Sequence, residues 1–85
     1  MMEFNPTLPK WTQIADVLRR RIATGEYPPN HRISEIRLEE EFGVARITVR
    51  KVTAALRAEG LIVTTQGMGS FVTEQAAGII KASKN

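Results

Sequence analysis

Gly43 separates two apolar patterns of helical spacing, and this arrangement limits the folds open to the chain more than any other feature. Before the glycine, Leu38 and Phe42 are four residues apart. After it, apolar residues recur at steps of four, three and four: Ala45, Val49, Val52 and Leu56. Such steps place apolar side chains on one face of an α-helix. Because a short turn containing glycine joins the two segments, they predict a helix-turn-helix.

Another helix is predicted before this pair. Pro9 is tolerated in a first helical turn, and Gly25 accepts the left-handed conformation that often follows a last turn. Between them lies an apolar stripe that consists of Trp11, Ile14, Ala15, Leu18 and Ile22. Ser34 is a good N-cap for the second helix, which is expected to end near Phe42. The third helix is expected over residues 46–59.

The chain becomes rich in β-branched residues after the third helix. Residues 61–65 and 70–73 are typical of strands, and the glycine-bearing loop 66–69 between them predicts a β-hairpin. A very short strand is also expected at Arg32 and Ile33. This order of elements predicts an α+β fold, mainly α: a three-helix winged helix-turn-helix with a C-terminal β-hairpin wing.

The domain is predicted to cover residues 9–74. Residues 1–8 show no periodicity and are expected to be a flexible N-terminus. Residues 75–85 are small and polar around two isoleucines and are expected to be a tail or linker, with the start of a helix as a further alternative.

Composition excludes several classes of function. A chain of 85 residues buries too small a core for a deep catalytic pocket. The absence of cysteine and the presence of one histidine exclude a disulfide framework, a cysteine-type zinc site and a multi-histidine metal site. The consecutive Glu39, Glu40 and Glu41 point in different directions on a helix, and no nucleophile with a base can be named. We therefore expect no enzyme, no cofactor and no metal.

Membrane and secretory signals are not found in the sequence either. No apolar run approaches the roughly 18 residues that a membrane span needs, and the first residues lack the basic-then-apolar pattern of a signal peptide. A soluble cytoplasmic protein without a membrane partner is expected.

Charge is informative through its distribution more than through its sum. The formal net charge is +3, and much of this excess comes from Lys81 and Lys84. Residues 43–58, by contrast, contain no acid and four bases, which are Arg46, Arg50, Lys51 and Arg57. A nearly neutral domain can therefore carry a basic face, as nucleic-acid-binding domains do.

The third helix is the candidate for base recognition. Helical spacing puts Arg46, Arg50 and Arg57 on one solvent face, and the planar fork of arginine matches the O6 and N7 atoms of guanine. Residues near the start of a recognition helix reach deepest into a major groove, which favours Arg46, Ile47 and Arg50 over Arg57. Ile47 offers an apolar surface for a thymine methyl group. Thr48 and Lys51 are candidates for phosphate contacts.

Simpler interpretations stay open for these features. A basic helix face is often only solvated, and the three arginines at 19–21 are more typical of a solvent face than of a binding site. Trp11 is expected to pack in the core. Met68 at the hairpin tip is expected to be exposed unless it meets a partner. The alternative function is a winged-helix protein–protein interaction module that uses the third helix or the tail.

From Pro9 to Thr73 the chain resembles the DNA-binding domain of GntR-family transcription regulators. The matching stretches are residues 13–16 with 18–19, 25–29, 34–35 with 38, 42–50, 56 with 59–62, and 66–72. The resemblance implies a bacterial repressor or activator that binds double-stranded DNA, on a palindrome and as a dimer. It also implies that Arg46 and Arg50 enter the major groove and that the hairpin tip at Gln66 and Gly67 lies in the minor groove.

The chain departs from the family pattern at several positions. Ala45 replaces a usual serine, Asn30 replaces a usual glycine, and Met68 stands where the tip is often basic. Many members carry an arginine that contacts DNA at the position of Ile36, and here the next residue, Arg37, is the candidate for that role. Typical members also carry a C-terminal effector domain, which leaves a stand-alone small regulator and an isolated DNA-binding domain as alternatives, with no effector pocket evident.

The predicted function is thus sequence-specific binding of double-stranded DNA to regulate transcription, as a repressor on a palindrome. The candidate DNA-binding residues are Ser34, Arg37, Arg46, Ile47, Thr48, Arg50, Lys51, Gln66, Gly67, Met68 and Gly69.

Overall fold

Four helices and a three-stranded sheet make up the part of the chain that the structure, a computed structural model, describes, which is residues 2–83. The expectations that concern Met1, Lys84 and Asn85 lie outside these residues. The elements follow one another as α1 Lys10–Thr24, β1 Arg32–Ile33, α2 Glu35–Phe42, α3 Arg46–Ala58, β2 Ile62–Thr65, β3 Gly69–Val72 and α4 Ala76–Ser83. The predicted helices, short strand and hairpin are confirmed to within one or two residues.

The corner between α2 and α3 is made by local backbone chemistry. Ser34 caps α2, because its Oγ accepts a hydrogen bond of 3.3 Å from the backbone N–H of Arg37. Gly43 ends α2 in the left-handed conformation, with φ of 63°, and Val44 N–H donates back to the carbonyl of Glu39. Since glycine adopts this conformation without a steric penalty, the chain reverses here within three residues.

The hairpin is the larger part of an antiparallel sheet with the strand order β1-β3-β2. Phe71 of β3 pairs with Arg32 on one side and with Val63 on the other. The short strand before α2 therefore joins the wing, and it holds the start of the helix-turn-helix beside the hairpin.

The core lies between the helices and the inner face of the sheet. Its most deeply buried side chains come from α1, α3, the two hairpin strands and the residue before β2: Ile14, Ala15, Leu18, Val49, Val52, Leu56, Leu61, Ile62 and Val72. One prediction for this core is wrong, because Ala45 is exposed. It is the N-cap of α3 and has extended backbone, so the helical step does not carry it to the buried face. Thr53, a polar residue, is buried instead.

The two ends of the described chain pack on this core. Of the alternatives for residues after the hairpin, the helix is what the structure has, and α4 buries Ala76 and Ile80 beside α1. At the other end, Asn5 N–H donates to Oε1 of Gln13 at 2.9 Å, and Phe4 packs against the core. Both contacts lie on the side of α1, away from the exposed face of α3.

Candidate nucleic-acid interface

The exposed face of α3 carries the basic residues that the sequence singled out. Val49, Val52 and Leu56 are fully buried, which turns the opposite face outward. The side chains exposed there include those of Arg46, Ile47, Arg50, Lys51 and Arg57. Ile47 is 66% exposed, a large value for an isoleucine within an ordered helix. Thr48 is half-buried, so its side chain is less accessible than the exposed side chains around it.

An open depression of about 420 Å³ lies where α3 faces the start of α2 and the sheet. It is lined by Arg32, Ile33, Ser34, Glu35, Ile36, Arg46, Arg50, Arg57, Thr64, Gly69 and Ser70. Four of the predicted site residues are brought together here. They are Ser34, Arg46, Arg50 and Gly69.

Arg37 faces a different depression. It lies with Arg21, Tyr27, His31 and Glu41 around a space of about 560 Å³ on the other side of the start of α2. Ile36, not Arg37, lines the space beside Arg46 and Arg50, because one helical step turns a side chain by about 100°. The geometry therefore places Arg37 apart from Arg46 and Arg50, at the edge of the surface.

The cations of the depression differ in their partners. Among residues 2–83, Arg46 forms an ion pair, with its Nε 3.3 Å from Oε2 of Glu39, whereas Arg32 and Arg50 form none. Arg57 Nε donates to Oγ1 of Thr64 at 2.9 Å. The surface thus combines arginines that are free to take an anion with arginines held in a fixed orientation.

Hydroxyl groups connect α3 to the wing. The Oγ1 of Thr64, which accepts from Arg57, lies 2.8 Å from the Oγ of Ser70 on the neighbouring strand. This chain of hydrogen bonds runs from the recognition helix across both strands of the hairpin. It couples the position of the wing to that of α3.

The wing tip, residues 66–69, is a tight turn that exposes both a polar side chain and an apolar one. Met68 N–H donates to the carbonyl of Thr65 at 3.0 Å, and Gly67 has φ of 80°, which favours glycine. Gln66 and Gly67 are exposed. Met68 is 64% exposed, as the sequence led us to expect. The tip projects backbone and an apolar side chain, and it carries no charge.

Arg32 is a basic residue of this surface that the sequence pattern did not single out. Its guanidinium lies against Gly69 so closely that a Cβ at that glycine would be 3.0 Å from Nε of Arg32. The strand at Arg32 was predicted, but its pairing with β3 was not, and only that pairing brings the arginine to the wing. The sequence offered one signal for including Arg32: it is a basic residue in the short predicted strand that directly precedes Ser34, the N-cap of α2.

Two of the three consecutive arginines of α1 serve the fold. Arg20 is exposed, as a solvent face predicts. Arg19, however, donates from Nε to Glu59 at 2.8 Å, and Arg21 donates from Nη1 to Glu41 at 3.0 Å. These hydrogen bonds hold the pKa of each carboxyl below its ordinary value of 4.5 and raise the pKa of each arginine. Arg19 and Arg21 therefore fasten α1 to the ends of α3 and α2.

No helix within residues 2–83 is both long and apolar enough to cross a membrane.

Comparison with known proteins identifies the family. The sequence pattern of bacterial regulatory proteins of the gntR family matches residues 10–72, most of the chain. The chain belongs to the GntR family. Over 67 residues it is 37% identical to the histidine utilization repressor of Pseudomonas putida, a match that covers 78% of this chain and 27% of that repressor. The GntR chain thus spans about a quarter of the length of this curated relative.

Solved structures share the fold of this GntR chain. A GntR family transcriptional regulator from Listeria monocytogenes superposes with a TM-score of 0.85 over 93% of this chain and 72% of that one, at 24% identity. AraR(DBD), solved in complex with operator ORX1, superposes with a TM-score of 0.77 at 34% identity. That match covers 85% of this chain and 93% of the AraR domain. The winged-helix fold predicted from the sequence is confirmed.

Proposed function

We propose that this GntR-family chain binds double-stranded DNA of defined sequence and thereby regulates transcription. The observation that carries the proposal is the exposed arginine face of α3, on which Arg46, Arg50 and Arg57 share one depression with Arg32. The similar AraR(DBD) was solved with an operator, and the Pseudomonas relative is named a repressor. We extend both properties to this chain, as a non-catalytic repressor acting in the cytoplasm.

The residues of α3 divide by position into base and phosphate contacts. Arg46, Ile47 and Arg50 stand at the first turns of α3, from which side chains reach base edges when a recognition helix enters the major groove. Thr48 and Lys51 flank them and are assigned to phosphates, since lysine and hydroxyl groups bind phosphate oxygens well.

Phosphate and minor-groove contacts outside α3 complete the surface. Ser34 at the start of α2 and Arg37 beside it are assigned to the DNA backbone on one flank. The wing tip, residues 66–69, is assigned to the minor groove, where Gly67 and Gly69 allow close approach of the backbone and Gln66 can read the base edges. Met68 is then an apolar contact at the tip, covered by the bound duplex.

A dimer on a palindrome is part of the proposal. A single module of this size offers about 600–1,000 Å² to DNA, which gives weak binding by one copy. Two copies on symmetric half-sites would double the contact area and explain specificity.

The test is a titration of the full chain with duplexes selected from a random pool, at several salt concentrations. We expect one enriched sequence with inverted half-sites, and an affinity that falls as salt rises. Arg46→Ala and Arg50→Ala should each reduce binding to it by about 1–3 kcal/mol and relax base preference at one position. Selection that enriches no sequence, or unchanged binding by both variants, would rule the proposal out.

A protein-interaction module is the second candidate. It is favoured by three exposed apolar side chains on or beside the same face, Ile36, Ile47 and Met68, at 62%, 66% and 64% exposure. This function predicts a stable complex with a protein and no salt-dependent affinity for DNA, so the same titration separates the two.

A further inference from the structure

Glu39 is an acid placed beside the basic recognition face. It belongs to α2, yet its carboxylate reaches across the Gly43 corner to Arg46 at the start of α3, with Oε2 3.3 Å from Nε. Its side chain is 24% exposed, against 59% for that of Arg46. An acid on a surface that meets phosphates should weaken binding, so its position calls for a physical reason.

The two neighbouring glutamates have other surroundings. Glu41 pairs with Arg21 on the opposite side of α2. Glu40 is exposed and forms no ion pair within residues 2–83. Only Glu39 is turned toward α3, and the contact involves an arginine that stands where a recognition helix meets base edges.

The contact at Nε still leaves the guanidinium a pair of parallel donors for a two-point interaction. Guanine O6 and N7 are bound by two parallel N–H donors of arginine. With Nε engaged by Glu39, the edge formed by the two Nη groups remains available. A hydrogen bond at Nε also fixes the plane of the guanidinium, so less side-chain freedom is lost when the fork meets its base.

We propose that Glu39 is a positioning residue for Arg46 and that it increases discrimination between the operator and other DNA. The inference rests on the proposed function, since it assumes that Arg46 reads a base. Glu39 acts in two ways: its charge weakens attraction to any phosphate backbone, and its hydrogen bond directs Arg46 to one geometry. The charge lowers affinity for operator and unrelated DNA alike, because phosphates carry no sequence information, whereas the hydrogen bond favours the operator alone.

The experiment compares Glu39→Ala with Glu40→Ala on the selected operator duplex and on a scrambled duplex. The two variants remove the same charge from adjacent positions of one helix. Both should bind scrambled DNA more tightly. Only Glu39→Ala should also lower the ratio of operator to scrambled affinity, by roughly tenfold, the lower range of discrimination from one arginine–guanine pair. Glu39→Gln, which keeps an acceptor for Nε, should restore most of that ratio.

A coupled variant separates positioning from a general effect. In the Arg46→Ala background, Glu39→Ala should change the ratio no more than Glu40→Ala does. In the free protein, the Nε–H signal of Arg46 should exchange with solvent faster in Glu39→Ala than in Glu40→Ala, a readout that needs no DNA.

Three results would overturn the inference. They are equal ratios for Glu39→Ala and Glu40→Ala, an effect of Glu39→Ala that persists without Arg46, and unchanged exchange of the Nε–H proton. If the unmodified chain prefers no duplex sequence, the proposed function fails together with this inference. If it prefers one and Arg46→Ala loses that preference, only the role of Glu39 is in question.

Discussion

The hydroxyl of Thr53 in α3 donates a hydrogen bond of 3.1 Å to Oε2 of Glu35 in the first turn of α2. Thr53 is 2% exposed and Glu35 is half-buried beside the depression, so this bond joins the two helices of the helix-turn-helix at the edge of the basic surface. A carboxylate at a helix N-terminus is favoured by the helix dipole, and the bond to Thr53 satisfies one of its oxygens. The angle between α2 and α3 therefore depends on a polar contact as well as on apolar packing.

Replacing this hydroxyl with a methyl group should destabilise the fold. Thr53→Val keeps the shape of the side chain but removes the hydrogen bond to the half-buried Glu35 carboxylate, which costs about 0.5–1.5 kcal/mol. Urea unfolding monitored by circular dichroism measures the change. Thr65→Val is the matched control, because Thr65 is an exposed strand residue and should change stability by less than about 0.5 kcal/mol. Equal stabilities of the two variants would show that the bond contributes nothing.

Acid should remove the stabilisation that the α1 ion pairs provide. Hydrogen bonds from Arg21 and Arg19 lower the pKa of Glu41 and of Glu59 in the folded state. A lowered folded pKa means that this stabilisation is complete above the unfolded pKa and is lost as pH falls through the folded one. The free energy of unfolding should therefore decline below about pH 4.5, the ordinary value for these carboxyls.

The size of this effect is modest, since partly exposed ion pairs contribute about 0.2–1 kcal/mol each. Urea unfolding at a series of pH values should show a shallower acid decline in Glu41→Gln and Glu59→Gln than in the unmodified chain. Glu74→Gln changes an exposed carboxyl that forms no ion pair within residues 2–83 and serves as the control. An acid decline that is identical in all four proteins would contradict the assignment.

The wing turn should tolerate asparagine better than alanine. Gly67 has φ of 80° with open space where a Cβ would lie, so a substitution there is limited by backbone conformation alone. Gly67→Ala should cost about 1–2 kcal/mol, the penalty of a left-handed backbone for a residue with a Cβ. Gly67→Asn should cost less, because the asparagine side chain supports this conformation through local hydrogen bonds. Thermal unfolding of the two variants measures the difference, and a reversed order would exclude this explanation.

Periodicity was sufficient for α1, α2 and α3 because each has a clear apolar stripe and an identifiable end, such as Ser34 before α2 and Gly43 after it. It failed at Ala45, where the apolar spacing continued but the helix had not yet begun. The candidate DNA-binding residues of α3 follow from the same periodicity, since one buried face defines the opposite exposed one. They remain predictions until binding is measured.

Long-range contacts were beyond the reach of the sequence. The pairing of Arg32 with Phe71 joins residues far apart along the chain, and no local pattern specifies it. The contact of Glu39 with Arg46 depends on the angle at the Gly43 corner, so an acid-free segment in the sequence still acquired an acidic neighbour in the structure. Sequence reasoning described the charge of α3 correctly but not the charge around it.

Arg32 should contribute to DNA binding as a phosphate contact. It lines the depression beside Arg50, lies over Gly69 of the wing, and forms no ion pair within residues 2–83, so its charge is available to an anion. Each phosphate contact releases about one counterion, so Arg32→Ala should reduce the slope of log affinity against log salt by about one. Because phosphates carry no sequence information, operator and scrambled DNA should lose affinity alike.

The control for Arg32→Ala is Arg20→Ala. Arg20 is an exposed arginine of α1 outside the depression, and its removal changes the net charge of the chain equally. Arg20→Ala should leave the salt slope within measurement error of that of the unmodified chain. Equal slopes for both variants would mean that Arg32 acts only through the overall charge, whereas a loss confined to the operator would assign it to base recognition. A reduced slope in Arg32→Ala alone would extend the DNA-contacting surface from α3 through β1 to the wing.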